Sequence, residues 1–155
     1  VIDIQQDKRT GAVVFDRPDT LTITREVIAQ FGLEGRVIPQ EGDWNQENYG
    51  DDYDAVLFSN VLHGPNSGAP DKLRKGYAAL NSGGRLIVHD FLLNNEKTGP
   101  LGAALFNMMI GTYSIREILN VVTASGFIDA QLVALGDRGN GLITAVKRGD
   151  VMRKT

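Results

Sequence analysis

Cysteine is absent from this 155-residue chain. Disulfide scaffolds, thiolate metal sites and cysteine nucleophiles are therefore excluded. Histidine is scarce: His63 and His89 are the only two, too few for a histidine-rich metal site, and no metal is expected. Basic charge is in deficit, with 16 Lys and Arg against 19 Asp and Glu and a formal net charge of −3. The basic pairs Lys147–Arg148 and Arg153–Lys154 stand near the end of the chain and suit a solvated tail. A nucleic-acid partner is not expected, because phosphate contacts need a basic surface. No apolar run reaches the length of a membrane span and no signal-peptide pattern opens the chain, so neither a membrane partner nor export is expected. A cytoplasmic location is the default.

What is present is the balance of a folded protein, 42% hydrophobic and 23% charged, in a length that suits one domain over residues 1–155. Two kinds of run alternate. Gly11–Asp16, Arg36–Glu41, Asp54–Ser59 and Arg85–His89 read as strands, with Pro39 better suited to an edge position. Helical spacing appears over Asp19–Phe31, through Leu21, Ile23, Val27, Ile28 and Phe31, with Asp19 or Thr20 as N-cap. It recurs over Pro70–Leu80, Leu101–Ile110 and Ser114–Ser125, the last opened by the capping-box pair Ser114 and Glu117. Ala130–Leu135 and Leu142–Lys147, joined by a glycine-rich turn, suggest an antiparallel hairpin. The expected class is α/β: a mostly parallel, Rossmann-like sheet with a C-terminal antiparallel hairpin. Ligands of such sheets sit beyond the carboxyl ends of the strands. Asp16, Glu41 to Asp43, Ser59 to His63 and His89-Asp90 all follow apolar runs and are expected to gather along that edge.

Five segments occur in an order that carries a resemblance. They are Val13-Val-Phe-Asp-Arg-Pro18, Gly35-Arg-Val37 with Glu41-Gly-Asp43, Asp54-Ala-Val-Leu-Phe-Ser-Asn-Val-Leu-His63, Ala78-Ala-Leu-Asn-Ser-Gly-Gly-Arg-Leu-Ile-Val88, and Ser125-Gly-Phe127. Together they resemble the class I S-adenosylmethionine-dependent O-methyltransferases that act on small molecules, plant caffeate-type enzymes and their bacterial relatives. The resemblance covers nearly the whole chain. It implies S-adenosyl-L-methionine as cofactor, a small aromatic or polyketide-like hydroxyl as acceptor, and a homodimer in the intact parent.

The same resemblance suggests roles for particular residues. Asp16 ends a buried run and would accept hydrogen bonds from the ribose hydroxyls; the plainer alternative is a solvated aspartate before Pro18. Asp43 would lie near the adenine, and Trp44 would either stack on the ring or close a surface loop. Ser59 completes the expected cofactor set. His63 matches the general base, since an imidazole with an ordinary pKa near 6.5 can take a hydroxyl proton around neutral pH. Asp90 stands where plant members carry a glutamate that orients the histidine, but it is one methylene shorter. His89 is read as structural. The stretch Leu105–Ile110 matches an acceptor-lining helix, in which Phe106 and Met108 are candidate substrate contacts while Leu105 and Met109 are read as core.

Three departures stand out. Gly64-Pro65 follow the histidine where the family has an acid and a tryptophan. Gly111-Thr-Tyr-Ser114 lacks the second acid of the plant enzymes. The glycine-rich cofactor loop, which lets the backbone approach the methionine part of the cofactor, is missing, as is the N-terminal dimerisation region. Val1–Lys8 is read as the end of a preceding helix, making the chain the C-terminal portion of a catalytic domain without its first strand. An open seam of unpaired backbone is expected where that strand belongs. Cofactor binding should then be weak; a micromolar or tighter Kd by calorimetry would contradict this. The competing readings are a relative that methylates nitrogen or carbon, and an inactive methyltransferase-like binding module. A nicotinamide dehydrogenase is disfavoured because no G-x-G-x-x-G occurs.

Overall fold

A computed structural model describes residues 10–149. The reading of Val1–Lys8 as a helix end, and the Arg153–Lys154 pair, lie outside the described residues. The chain divides into two compact units that meet between Tyr49 and Gly50.

The first unit is a β–α–β segment. Strand β1 (Ala12–Asp16) leads to helix α1 (Pro18–Gln30) and strand β2 (Val37–Glu41), and β1 and β2 pair in parallel with Asp16 opposite Glu41. Pro39 falls on a strand paired on one side only, where its missing N–H costs nothing. Helix α1 starts one step earlier than the spacing suggests. Arg17 is its N-cap, with no side-chain cap, and Pro18 takes the first helical turn, where its fixed φ and absent N–H are tolerated. Asp19 and Thr20 therefore lie inside the helix. Of the apolar stripe only Leu21 and Ile28 are buried, while Ile23, Val27 and Phe31 are exposed. A two-stranded sheet offers α1 too little surface to cover a full stripe.

The second unit has a four-stranded ladder in the order β3–β4–β6–β5. Strand β3 (Tyr53–Ser59) runs parallel to β4 (Leu80–Phe91). Strand β6 (Asn140–Val146) is antiparallel both to β4 and to β5 (Ile128–Leu135), which forms the expected C-terminal hairpin. A 3-10 turn (Pro65–Ser67) and helix α2 (Ala69–Ala79) join β3 to β4. Helices α3 (Leu101–Ile110) and α4 (Ile115–Ala124) lie between β4 and β5. Ser114 and Glu117 form both halves of the capping box at the start of α4. The core of this unit includes Leu73, Leu86, Val88, Ile118, Val122, Phe127 and Ile143. Strand β4 is longer than its apolar run, because Tyr53 pairs with Leu80 across an irregular register. Lys147, expected in a solvated tail, donates to the Leu80 carbonyl at 2.6 Å and lies over the Tyr77 ring.

The expected sheet is thus present as two ladders. Strands β1 and β3 each pair on one side only, and no strand among the described residues joins them. Leu57 on β3 is correspondingly exposed despite sitting in an apolar run.

Candidate functional site

In the first unit, polar residues gather where β1 and β2 end. A groove of about 590 Å³ is lined there by Arg17, Pro18, Glu41, Gly42, Asp43, Trp44, Asn45 and Glu47. Asp16 closes β1, and its Oδ1 accepts the Arg17 N–H at 2.7 Å. Its backbone carbonyl accepts the Gly42 N–H. A Cβ at position 42 would lie 2.3 Å from the Phe15 ring, so a side chain there would displace that ring. Asp43 organises the following turn: its carboxylate accepts Asn45 N–H and Gln46 Nε2, each at 2.8 Å. Arg17 lies over the Trp44 ring at 5.8 Å from the centroid. Tyr49 donates its hydroxyl to the Trp44 carbonyl at 3.1 Å. Burial first, and the nearby Asp43 carboxylate second, push the Tyr49 hydroxyl up to about 12.

These residues suit the nucleoside half of a cofactor. A strand-end carboxylate offers acceptors for paired hydroxyls, and the groove beside it holds an indole and further acceptors. No glycine-rich loop for the remaining half occurs among the described residues.

In the second unit, the parallel pair β3–β4 brings Ser59 opposite His89. The Ser59 hydroxyl and His89 Nδ1 are 3.4 Å apart, so Ser59 is occupied by the histidine read as structural. One residue on, Asp90 is almost fully buried at 3% exposure. Its Oδ2 accepts the Leu62 N–H at 3.0 Å and its Oδ1 the Phe91 N–H at 2.8 Å. Burial is the largest influence on Asp90 and pushes its carboxyl up; those two N–H donors, then His63 and His89, pull it back.

His63 follows Leu62 directly and turns Nδ1 toward Asp90 Oδ1 at 3.7 Å. Nδ1 is buried and has no hydrogen-bond partner among the described residues. A closing movement of roughly half an ångström would make an ordinary hydrogen bond. The short aspartate thus reaches the imidazole neighbourhood without touching it. The His63 ring stands perpendicular to Phe106 with centroids 5.5 Å apart, and Phe106 packs on Phe91 at 4.5 Å.

Phe106 is therefore brought to the histidine. Met108, on the same helix, is 82% exposed and has no such contact. The expectation that Leu105 and Met109 are core fails: they are 53% and 79% exposed. Helix α3 is apolar around most of its circumference yet fully buries only Ala103, so most of its side chains face outward.

Two features of the site went unread in the sequence. Gly64, the first departure after the histidine, has φ +71, and a Cβ there would lie 2.9 Å from the Gly111 carbonyl carbon. The two departing segments, Gly64-Pro65 and Gly111-Thr112, are thus in backbone contact. Their sequence signal was the pair of glycines at matching departures. The second feature is Lys72, which lies on the buried face of α2 with Ala69, Leu73, Gly76 and Ala79. A lysine in register with that small apolar stripe was the available signal.

Among the described residues no group of His, Asp and Glu could hold a metal, and no helix is long and apolar enough to cross a membrane.

Comparison with known proteins follows the same lines. The chain is 30% identical over 151 residues to 3-hydroxy-5-methyl-1-naphthoate 3-O-methyltransferase of Streptomyces sahachiroi, covering 92% of this chain and 44% of that protein. It is 34% identical over 103 residues to L-tyrosine C(3)-methyltransferase of Streptomyces lavendulae, covering 65% and 28%. The crystal structure of the S-adenosylmethionine-dependent methyltransferase SibL in its apo form superposes with a TM-score of 0.82 at 28% identity, over 94% of this chain and 46% of that one. The chain spans less than half the length of these relatives. S-adenosyl-L-methionine is the cofactor that these relationships indicate. Residues 9–128 match the O-methyltransferase domain, and the chain belongs to that family.

Proposed function

We propose that this chain carries the C-terminal portion of the catalytic domain of an S-adenosyl-L-methionine-dependent O-methyltransferase, acting on a small aromatic or polyketide-like hydroxyl with His63 as general base. The observation that carries the reading is His63 Nδ1 facing the buried Asp90 carboxylate at 3.7 Å, beyond the carboxyl ends of β3 and β4. The relatives are a hydroxynaphthoate 3-O-methyltransferase and an L-tyrosine C(3)-methyltransferase, so an aromatic acceptor is common to both.

The chemistry follows from that geometry. When bound, S-adenosyl-L-methionine would supply an electrophilic methyl group. His63 directs Nδ1 inward, which leaves Nε2 as the nitrogen that takes the acceptor's hydroxyl proton. The imidazolium so formed draws Asp90 Oδ1 closer, and the buried carboxylate stabilises the new charge. Phe106 presents an aromatic wall beside the imidazole, suited to a planar acceptor. In the first unit, Asp16 would bind the ribose, with Asp43 and Trp44 on the adenine side. Ser59 and Met108 complete the set proposed for cofactor and acceptor.

The test is methyl transfer from S-adenosyl-L-methionine to a phenolic acceptor, comparing His63→Gln and Asp90→Asn with the unchanged protein. Turnover that survives His63→Gln would remove the base. In that event a carbon acceptor becomes the better reading, because the Streptomyces lavendulae relative methylates carbon. An inactive binding module is the reading left if no transfer occurs while the nucleoside still binds. A homodimer and a cytoplasmic location rest on the resemblance and on composition alone.

A further inference from the structure

We propose that Lys72 is a positioning residue for His63, acting by clamping the Val61–Leu62 peptide against Asp90. The role rests on the reading of His63 as the base, but the clamp itself is a separate matter of geometry.

Lys72 is 7% exposed on the inward face of α2. Its Nζ donates to the Val61 carbonyl at 3.1 Å. The N–H of the same peptide unit belongs to Leu62, and it donates to Asp90 Oδ2 at 3.0 Å. One peptide group is therefore held between a cation at its oxygen and a carboxylate at its nitrogen. A peptide unit carries a dipole of about 3.5 D, negative at the oxygen, so both charges stand at its favourable ends. Hydrogen bonds with an ionised partner are about twice as strong as neutral ones, and here one peptide receives two.

The clamp acts on the residues that carry the imidazole. His63 follows Leu62, and the segment is bracketed by Asn60 at φ +54 and Gly64 at φ +71. Asp90 is shared: Oδ2 holds the peptide while Oδ1 faces His63 Nδ1. A shift of the peptide would thus move His63 and its carboxylate partner relative to each other. Burying an ammonium is costly, and methionine would fill a similar volume without that penalty.

The experiment uses the full chain, in which His63 and His89 give only two sets of imidazole resonances to follow by NMR. Lys72→Met should shift the ring-proton resonances of His63, leave those of His89 in place, and lower kcat by about 10²-fold with KM unchanged. Lys72→Arg, which keeps a charged donor, should restore both. Unaltered His63 resonances in a folded Lys72→Met protein would overturn the proposal. So would equal disturbance of both histidines with no rescue by arginine, the mark of general loosening. If the methionine variant does not fold, the unchanged protein decides: Lys72 Nζ should show a coupling across the hydrogen bond to the Val61 carbonyl carbon, and its absence overturns the clamp. Turnover retained by His63→Gln would remove the base assignment while leaving the NMR result intact, so the two failures are distinguishable.

Discussion

The two units solve the same packing problem with unequal means. Residues 50–149 build a four-stranded ladder whose central strands, β4 and β6, alternate buried Leu86, Val88, Ile143 and Ala145 with outward residues. Residues 10–49 have two strands and one helix, and bury only Leu21, Ile28, Val37 and Tyr49. The proposed chemistry divides in the same way. A site for proton transfer needs a buried carboxylate and a fixed imidazole, and only the larger unit has the core to desolvate Asp90. A nucleoside site needs acceptors and an aromatic face at a strand end, which a small unit can provide.

The largest expected effect tests that division of labour. His63→Gln should lower turnover by at least ~10²-fold, while quenching of the single tryptophan, Trp44, by added cofactor is unchanged. Asp16→Asn should do the reverse, weakening the quenching first. Equal effects of both variants on both readouts would erase the comparison.

Stability sharpens it next. Leu86 is fully buried, so Leu86→Ala should cost about 2–5 kcal/mol in denaturant unfolding. Val27→Ala, at an exposed position of α1, should stay within about 0.5 kcal/mol. A comparable cost at Val27 would mean that α1 is covered in solution. Gly64→Ala should cost roughly 1–3 kcal/mol through its left-handed φ, and more if the Gly111 backbone cannot yield.

Two smaller effects complete the series. Ser114→Ala removes the capping hydroxyl of α4 and should cost about 1 kcal/mol in the larger unit. In the smaller unit, Tyr49 sets an alkaline limit. Its folded pKa is raised above 10, so between pH 10 and about 12 the unfolded chain has released a proton that the folded chain keeps. Stability contributed by Tyr49 is therefore complete below pH 10 and lost as pH rises through 12. Tyr49→Phe should flatten that decline, and unfolding curves across this range would show it.

Much of this was legible in the chain itself. Ser114 and Glu117 announced a helix start through a local hydrogen-bond exchange that needs no distant partner. The strands near 54–59 and 85–89, and the C-terminal hairpin, were legible from alternating apolar runs and turn residues, because those signals are also local. His63 and Asp90 were legible as a candidate pair through the family pattern.

Other features depended on what lies opposite each residue. Ile23, Val27, Leu105 and Met109 have the spacing of core side chains, yet burial requires a facing surface, which spacing does not report. The 3.7 Å gap between His63 and Asp90, and the use of Ser59 by His89, depend on the register of β3 against β4.

By itself, the amino-acid sequence determined the family, the order of elements and the candidate imidazole and carboxylates. Periodicity, caps and turns act over a few neighbouring residues and survive being read in one dimension. Only the tertiary structure decided that Lys72 and Asp90 meet at one peptide, and that Gly64 lies against Gly111. Those contacts join residues 11 to 47 positions apart, and their energies depend on burial, a property no residue has until the rest of the chain surrounds it.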